Sequence, residues 1–321
     1  MPITKEFKTI EKQIELLDSR HLKFRNKSKA KVILSKYNYF DIINGFESIF
    51  VINGRPTKEY EGVYFEDFCD CYNFDRKLKT ATLIKILDIE ARLKTSIAYH
   101  FAEAYCNTIP NTMNYTLSSF YQAPITTDTH LTNVFNTFEL FRQTTYNPDG
   151  TIRRRSHISD LKNQKQYIAV YDKPPFWVTI KTLSFGALYY LFVFLPNNVK
   201  ERVLADFGFK LSDAICFTQA VSILKEIRNQ CAHLELITRF KLKQDPKLNN
   251  YYDIKAKAKL SRRDLYFIDV VKILKLFGEI KTIKNTIRVF YYKSLFKFRK
   301  KIAIKILSKM GRKKLSVWMQ L

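Results

Sequence analysis

Cysteine is scarce in this sequence and badly spaced for holding a metal. Only five cysteines occur in 321 residues, and no two of them form a CxxC pair. An odd number of cysteines without that spacing predicts neither a disulfide framework nor a zinc knuckle. We therefore expect no metal, no cofactor and a cytoplasmic, reducing environment.

Long apolar runs are also missing. The N-terminal stretch MPITKEFKTIEKQIELL is charged throughout and has no signal-peptide core. The longest apolar run, residues 187–195, is far shorter than the roughly 18 to 20 residues that a membrane span requires. The sequence therefore predicts no membrane span, and we interpret 187–195 as part of a buried helix.

Acidic residues are few in comparison with basic ones. Thirty Asp and Glu face fifty-five Lys and Arg, which gives a formal net charge of +25 at pH 7. This excess is larger than solubility requires and indicates a polyanionic partner, either nucleic acid or an anionic membrane surface. Because 46% of the residues are hydrophobic and 15% are aromatic, the charge belongs to a folded body and not to a disordered basic tail.

Apolar residues recur mainly at helical spacing. The pattern predicts a first helix from an N-cap at Thr9 to about Ser19, and one or two long helices over 64–105, where no Gly or Pro interrupts. Further helices are predicted within 176–194, from about 199, and from about 212 to 233. These segments predict an all-α fold.

Two regions depart from this pattern. Residues 107–173 are polar and rich in Thr, Asn, Tyr and Pro, and we predict a loop-rich insertion with one helix near 132–142. From residue 263 onward, an apolar helical stripe alternates with a dense Lys and Arg face. The predicted domains are therefore residues 1–262, including the insertion, and basic C-terminal helices at 263–321.

A helix ending near His233 contains the most informative cluster of polar residues. On a helical wheel of about 100° per residue that starts at Ala220, Asn229 and His233 lie at about 180° and 220°, with Glu226 beside them at about 240°. The predicted core stripe lies within about 60° of Ala220 and consists of Ile223, Leu224, Ile227, Cys231 and Leu234. We therefore expect His233 to point away from the core.

Arg228, Asn229 and His233 suit the cleavage of RNA without a metal. A histidine titrates near neutral pH, so it can take a proton from a ribose 2′-hydroxyl or give one to the leaving oxygen. Arginine stabilises charge on phosphate oxygens, and asparagine can orient either group. A single histidine is more often structural than catalytic, and the structural interpretation stays open at this point.

The same residues resemble a known family. Arg228-Asn229 followed by His233 is similar to the Arg-x(4-6)-His motif of HEPN-domain ribonucleases. The chain up to about residue 240 resembles the abortive-infection group called AbiD/AbiF or Abi-like. The segments that show this resemblance are Thr9 to Arg20, Tyr37-Asn38-Tyr39-Phe40, Tyr72 to Leu78, Ile89 to Lys94, Pro174-Pro175-Phe176-Trp177 and Leu183 to Gly186.

The resemblance implies a HEPN-like helical bundle with additional N- and C-terminal helices, and a role in phage defence through growth arrest. It implies RNA as substrate or ligand, a small structured RNA that restrains the toxin, and a homodimer or protein–RNA assembly. By the motif, Arg228 and His233 would be catalytic, together with Asn229, and Glu226 and Glu90 are supporting candidates. For Glu90 a structural ion pair is the alternative.

Basic side chains outside the motif predict where RNA binds. The stretch from Lys281 to Lys314 contains no acidic residue, and Tyr291, Tyr292, Phe296 and Trp318 offer stacking surfaces unless they belong to the core. The predicted RNA-binding residues are Arg153, Arg154, Arg155, Lys293, Lys297, Arg299, Lys300, Lys301, Lys305, Arg312, Lys313 and Lys314. Two alternatives stay open, namely a non-catalytic RNA-binding module and a basic amphipathic protein of membrane surfaces.

Overall fold

Helices account for most of the described chain. The computed structural model describes residues 6–52, 54, 57–124, 128–243, 251–261, 263–297 and 299–321. Over these ranges the strands are limited to two small two-stranded antiparallel sheets, so the all-α prediction is confirmed. The α-helices are α1 (Ile10–Ser19), α2 (Lys27–Lys36), α3 (Glu47–Phe50), α4 (Phe65–Tyr105), α5 (Thr129–Asn136), α6 (His157–Gln164), α7 (Gln166–Ala169), α8 (Phe176–Thr179), α9 (Phe185–Phe194), α10 (Asn197–Asp206), α11 (Ala214–Ala232), α12 (Tyr252–Ala258), α13 (Phe267–Leu276), α14 (Lys281–Phe296), α15 (Lys300–Lys309) and α16 (Leu315–Met319). The strands are β1 (Thr145–Tyr146), β2 (Ile152–Arg154), β3 (Lys241–Leu242) and β4 (Leu265–Tyr266).

Helix α1 forms where the sequence predicts it. The Thr9 hydroxyl accepts the backbone N–H of Lys12 at 3.4 Å, as an N-cap side chain does. Ile14 and Leu17 are buried, and α1 packs against α2. The predicted boundaries at Thr9 and Ser19 are therefore confirmed.

Helix α4 is a single helix of 41 residues. Its first turn contains Glu66 and Asp67, and the Asp67 carboxylate accepts the backbone N–H of Tyr64 at 2.9 Å. Acidic side chains at this end offset the positive end of the helix dipole. Without Gly or Pro to interrupt it, the helix extends to Tyr105.

The chain divides into two compact units. The first unit comprises the described residues of Met1–Lys85, Ile227–Gln244 and Ser261–Leu321, and the second those of Ile86–Glu226 and Asp245–Leu260. This division differs from the predicted boundary at 262/263, because the apolar faces of the C-terminal helices pack within the first unit. In that unit α15 contacts α3, and the rings of Phe74 and Phe290 stack with centroids 4.0 Å apart.

The second unit has an aromatic core. The ring of Phe176 stacks on Tyr115 at 4.6 Å, and the buried Tyr115 hydroxyl donates to the Pro174 carbonyl at 2.8 Å. Phe192 packs against Phe217 with ring centroids 4.7 Å apart. The apolar stretch 187–195 belongs to α9 except for its last residue, the C-cap Leu195, and Leu188, Leu191 and Phe192 are buried there as expected.

The 107–173 region is more ordered than the sequence predicts. It forms α5, α6, α7 and the β1–β2 hairpin, and α5 ends at Asn136 instead of extending to residue 142. The Asp128 carboxylate caps α5 by accepting the N–H groups of His130 and Leu131, so the helix begins earlier than predicted.

Hydropathy gives little support for a membrane-spanning element. Within the described ranges, no single helix is both long enough and apolar enough to cross a bilayer. One pair, Asn197–Asp206 with Leu211–Ala232, meets the criteria together but is bent by 88°.

Candidate functional site

The Arg228, Asn229 and His233 motif lies at the C-terminal end of α11. The predicted core stripe is confirmed at Ala220, Ile223, Leu224, Ile227 and Cys231, each of which is at most 3% exposed. The prediction is wrong for Leu234, which is 72% exposed. The reason is that α11 ends at Ala232 and Leu234 has a left-handed φ of 61°, so the helical periodicity no longer applies there.

A tight turn closes α11 directly after the motif. The N–H of Leu234 donates to the Cys231 carbonyl at 3.4 Å, and the N–H of Glu235 donates to the Gln230 carbonyl at 3.0 Å. These are the two hydrogen bonds of a Schellman turn, with leucine in the left-handed position that glycine usually occupies. His233 immediately precedes this residue, and its N–H donates to the Asn229 carbonyl at 2.9 Å.

His233 is exposed at this helix end, while Arg228 and Asn229 are half-buried. His233 lies five positions after Arg228, which corresponds to a rise of about 7.5 Å along a helix. The Nε atom of Arg228 is buried and has no hydrogen-bond partner among the described residues. A buried guanidinium N–H without an acceptor is uncommon in proteins. The motif therefore combines an exposed imidazole with a guanidinium whose donors are not all used.

A buried network holds the turn after His233. Lys79 of α4 donates from Nζ to the Leu234 carbonyl at 2.9 Å and forms an ion pair with Asp75 at 3.4 Å. Asp75 Oδ1 accepts both the backbone N–H and the hydroxyl of Thr238, each at 2.8 Å. Asp75 is 0% and Lys79 is 5% exposed. One turn of α4 thus fixes both ends of the segment that follows the candidate histidine.

Burial and the partners of Asp75 have opposite effects on its pKa. Burial raises the pKa of Asp75 above its ordinary value, and the hydrogen bonds from Thr238 and the charge of Lys79 act in the opposite direction. A carboxylate so deeply buried depends on these partners to remain charged. Neither Asp75 nor Lys79 was a predicted site residue, since only their separation of four residues on one helix hints at a pair.

The two supporting glutamates belong to the second unit. Glu90 forms an ion pair with Lys94 at 2.8 Å, one turn along α4, and Glu226 forms one with Lys225 at 3.5 Å. The buried Oε2 atom of Glu90 has no hydrogen-bond partner among the described residues. The ion-pair alternative for Glu90 is thus what the geometry favours, and a supporting role in cleavage stays a prediction.

The predicted RNA-binding arginines of the insertion are exposed. Arg153 and Arg154 lie on β2 and Arg155 follows it. Arg154 Nη2 contacts Glu139 at 3.3 Å, and both side chains are more than half exposed. An ion pair as exposed as this contributes little to stability, so it leaves the arginine accessible to another anion.

The basic C-terminal residues fall into two groups. One group has partners within the first unit: Lys293 and Lys297 with Asp70, Arg299 with Asp67, Lys305 with the Ile49 carbonyl, and Arg312 with the Gly311 carbonyl. The other group is exposed and forms no ion pair with a described residue: Lys300, Lys301, Lys313 and Lys314. The structure therefore separates charges that the sequence presents as one run.

The aromatic residues of the same stretch also separate. Trp318 is 0% exposed, and its Nε1 donates to the Arg312 carbonyl at 2.8 Å. The prediction of Trp318 as a stacking surface is therefore wrong, since its indole fills the core beside Phe267. Tyr291 is half-buried, whereas Tyr292 and Phe296 are 49% and 85% exposed.

A comparison with protein families gives one match. The family model described as Abi-like protein matches residues 32–237, which is more than half of the chain. The match includes Asp75, Lys79, Arg228 and His233, and excludes the basic C-terminal helices. No curated protein and no solved structure is similar enough to match the chain.

Proposed function

The chain belongs to the Abi-like protein family, and on this basis we propose that it binds RNA and cleaves it with Arg228 and His233. The family supports a role in phage defence by abortive infection. RNA cleavage would provide the toxic act that arrests growth. The excess of basic over acidic residues suits a polyanionic substrate.

The observation that supports catalysis most directly is the exposure of His233. A histidine on the core side of α11 would have been an ordinary packing residue. Instead His233 is exposed where α11 ends, in a turn that the Asp75 and Lys79 network holds in place. A fixed backbone with an accessible imidazole is what a general base or acid requires.

The proposed reaction is transesterification at the ribose. His233 takes the proton from the 2′-hydroxyl, whose oxygen attacks the adjacent phosphorus while the bond from that phosphorus to the 5′-oxygen of the next nucleotide breaks. The leaving 5′-oxygen takes up a proton from the protonated imidazole or from water. Arg228 stabilises the charge that builds on the non-bridging oxygens. The products are a 2′,3′-cyclic phosphate and a 5′-hydroxyl end, and a substrate without a 2′-hydroxyl does not react.

Two further parts of the proposal rest on the resemblance to HEPN proteins. We expect two chains to form a homodimer, since an exposed histidine at a helix end needs a second surface to enclose the substrate. We also expect a small structured RNA to restrain the toxin by occupying the same cationic surfaces.

The test is to substitute His233→Ala and to compare cleavage with binding. The variant should cleave RNA at least about a hundredfold more slowly, because the loss of a general acid or base typically costs that much. RNA affinity should stay near the wild-type value, and growth arrest on expression should be lost. End analysis of the wild-type products should detect the cyclic phosphate.

His130→Ala is the matched control, since His130 is likewise exposed and lies in the second unit. It should cleave like the wild type. If His233→Ala retains both cleavage and toxicity, the motif is not catalytic, and a non-catalytic RNA-binding module becomes the better assignment.

A further inference from the structure

One face of α14 has an unusual composition. Lys281, Lys284 and Arg288 are spaced by three and four residues, so on a helical wheel they lie within about 60° of one another. The buried face of the helix points away from them and consists of Ile283, Ile287, Phe290 and Ser294. The three cations therefore form a line on the side of α14 that the core does not use.

This line borders a hollow in the first unit with a volume of about 1180 Å³. Lys275, Lys281, Lys284 and Arg288 contribute four positive charges to its wall, and Glu279 contributes one negative charge. None of these four cations forms an ion pair with a described residue. Further along α14, by contrast, Lys293 contacts Asp70 at 3.6 Å and Lys297 contacts the same carboxylate.

The same face continues into aromatic side chains. Tyr292 and Phe296 lie at about 20° and 60° on a wheel that starts at Lys281, and they are 49% and 85% exposed. Cations and aromatic rings thus follow one another along one side of α14, where Lys284 is half-buried and the others are exposed. We define this α14 strip as Lys281, Lys284, Arg288, Tyr292 and Phe296.

We propose that the α14 strip binds a single-stranded segment of RNA, with phosphates at the cationic end and bases stacked on the two rings. The inference rests on the proposed RNA-binding function and specifies where in the basic tail the RNA lies. Single-stranded nucleic acid is bound by grooves that combine basic residues with aromatic platforms. Lys293, Lys297 and Arg299, which pair with Asp70 and Asp67, instead stabilise the fold.

The arrangement favours RNA over a membrane surface. A helix that lies in a lipid interface places its apolar and charged residues on opposite faces. On α14 the exposed aromatic rings share a face with the cations, and the aliphatic face is buried in the first unit. Vesicle binding is therefore the competing outcome of the test.

The charge test compares two triple variants in a His233→Ala background, so that the RNA stays intact. Lys281→Gln/Lys284→Gln/Arg288→Gln removes the cationic half of the strip. Lys12→Gln/Lys29→Gln/Lys36→Gln removes the same charge from exposed lysines of α1 and α2 in the same unit. The probe is a short fluorescein-labelled single-stranded RNA without self-complementarity, titrated at several salt concentrations.

The strip variant should bind more weakly than its control, and its plot of log affinity against log salt should be flatter by about 2 units. Each phosphate contact with a single strand contributes about 0.7 to that slope through counterion release. The control should keep the wild-type slope. Thermal unfolding of both variants establishes that the fold is intact.

The aromatic test uses Phe296→Ala, with Phe7→Ala as control because Phe7 is 84% exposed. Loss of one stacking platform should weaken RNA binding by about fivefold or more. The salt slope should not change, since a benzene ring releases no counterions. Phe7→Ala should bind like its parent.

The outcomes separate this inference from the function on which it rests. If the parent chain binds no RNA at low salt, both fail. If it binds RNA and the strip variants match their controls, only the α14 strip is wrong. If the strip variants lose flotation with phosphatidylserine vesicles while RNA binding is unchanged, the strip is a membrane surface.

Discussion

Two buried residues of α4, Asp75 and Lys79, determine where the candidate histidine stands. Lys79 donates to the carbonyl of Leu234, the left-handed residue next to His233, and Asp75 holds Thr238 four residues further on. Removal of either partner leaves the other charge buried and uncompensated. An unpaired buried charge lowers the free energy of unfolding far more than the intact pair does.

Lys79→Met should therefore destabilise the protein by about 3 to 5 kcal/mol, measured by urea unfolding. Adding Asp75→Asn should restore much of the loss, because an amide oxygen still accepts the N–H and hydroxyl of Thr238 and no buried charge remains. A double-mutant cycle measures this coupling. Additive losses would contradict an energetic link between the two residues.

The destabilisation caused by Lys79→Met should also depend on pH. Burial raises the folded-state pKa of Asp75 above its ordinary value. A group with a raised folded pKa contributes stability below its unfolded pKa, and that contribution is lost as pH rises through the folded pKa. Without Lys79 the pKa of Asp75 rises further, so in acid the carboxyl is protonated and no buried charge remains. The loss of unfolding free energy caused by Lys79→Met should therefore be smaller in acid than at neutral pH.

At this scale the sequence predicts part of the site. The period of α11 is sufficient to place Ile227 and Cys231 in the core and His233 outside it. It fails at Leu234, because a left-handed turn by a leucine has no sequence signal of the kind that glycine provides. Contacts such as that between Asp75 and Thr238 join residues 163 positions apart, and no local pattern reveals them.

Among the elements, α14 has a first turn whose composition disfavours a helix N-terminus. It begins with Lys281, contains no acidic residue in that turn, and receives no side-chain hydrogen bond from its N-cap residue Ile280. The positive end of a helix dipole disfavours cations. The composition is therefore better explained by an anionic partner than by folding.

Lys281→Glu should stabilise the fold and weaken RNA binding at the same time. The gain should be about 0.3 to 1 kcal/mol, because an acidic side chain suits the helix N-terminus and can pair with Lys284. Thermal unfolding and RNA titration measure the two effects. Lys36→Glu, in the last turn of α2, should instead destabilise, since it replaces a favourable cation there. Loss of stability in Lys281→Glu would contradict this account.

Elements with strong local signals were predicted well, and those that depend on tertiary packing were not. Helices α1 and α4 have capping residues or uninterrupted periodicity, and both lie where expected. The burial of Trp318 beside Phe267 depends on packing between residues that lie far apart in the chain. A run of like charge in the sequence likewise does not indicate which of its lysines lie next to a carboxylate in the folded chain.

For the whole molecule, a formal charge of +25 predicts association with a polyanion but not the place where it binds. The structure shows that some cations are neutralised within the first unit while the line along α14 is not. Chemistry and binding would thus use different residues of the same chain. Under the proposed function we therefore expect that cleavage can be abolished without loss of affinity.

The proposed homodimer makes a prediction about mixtures of chains. If one cleft requires residues from two chains, a large excess of His233→Ala protein should lower the cleavage rate of a fixed amount of wild type, because nearly every wild-type chain then has an inactive partner. RNA is kept in excess over total protein, so that the variant does not compete for substrate. Initial rates are measured after the mixed chains have had time to exchange. An unchanged rate, with exchange demonstrated by differently labelled chains, would mean that each chain cleaves alone and that His233 needs no second copy.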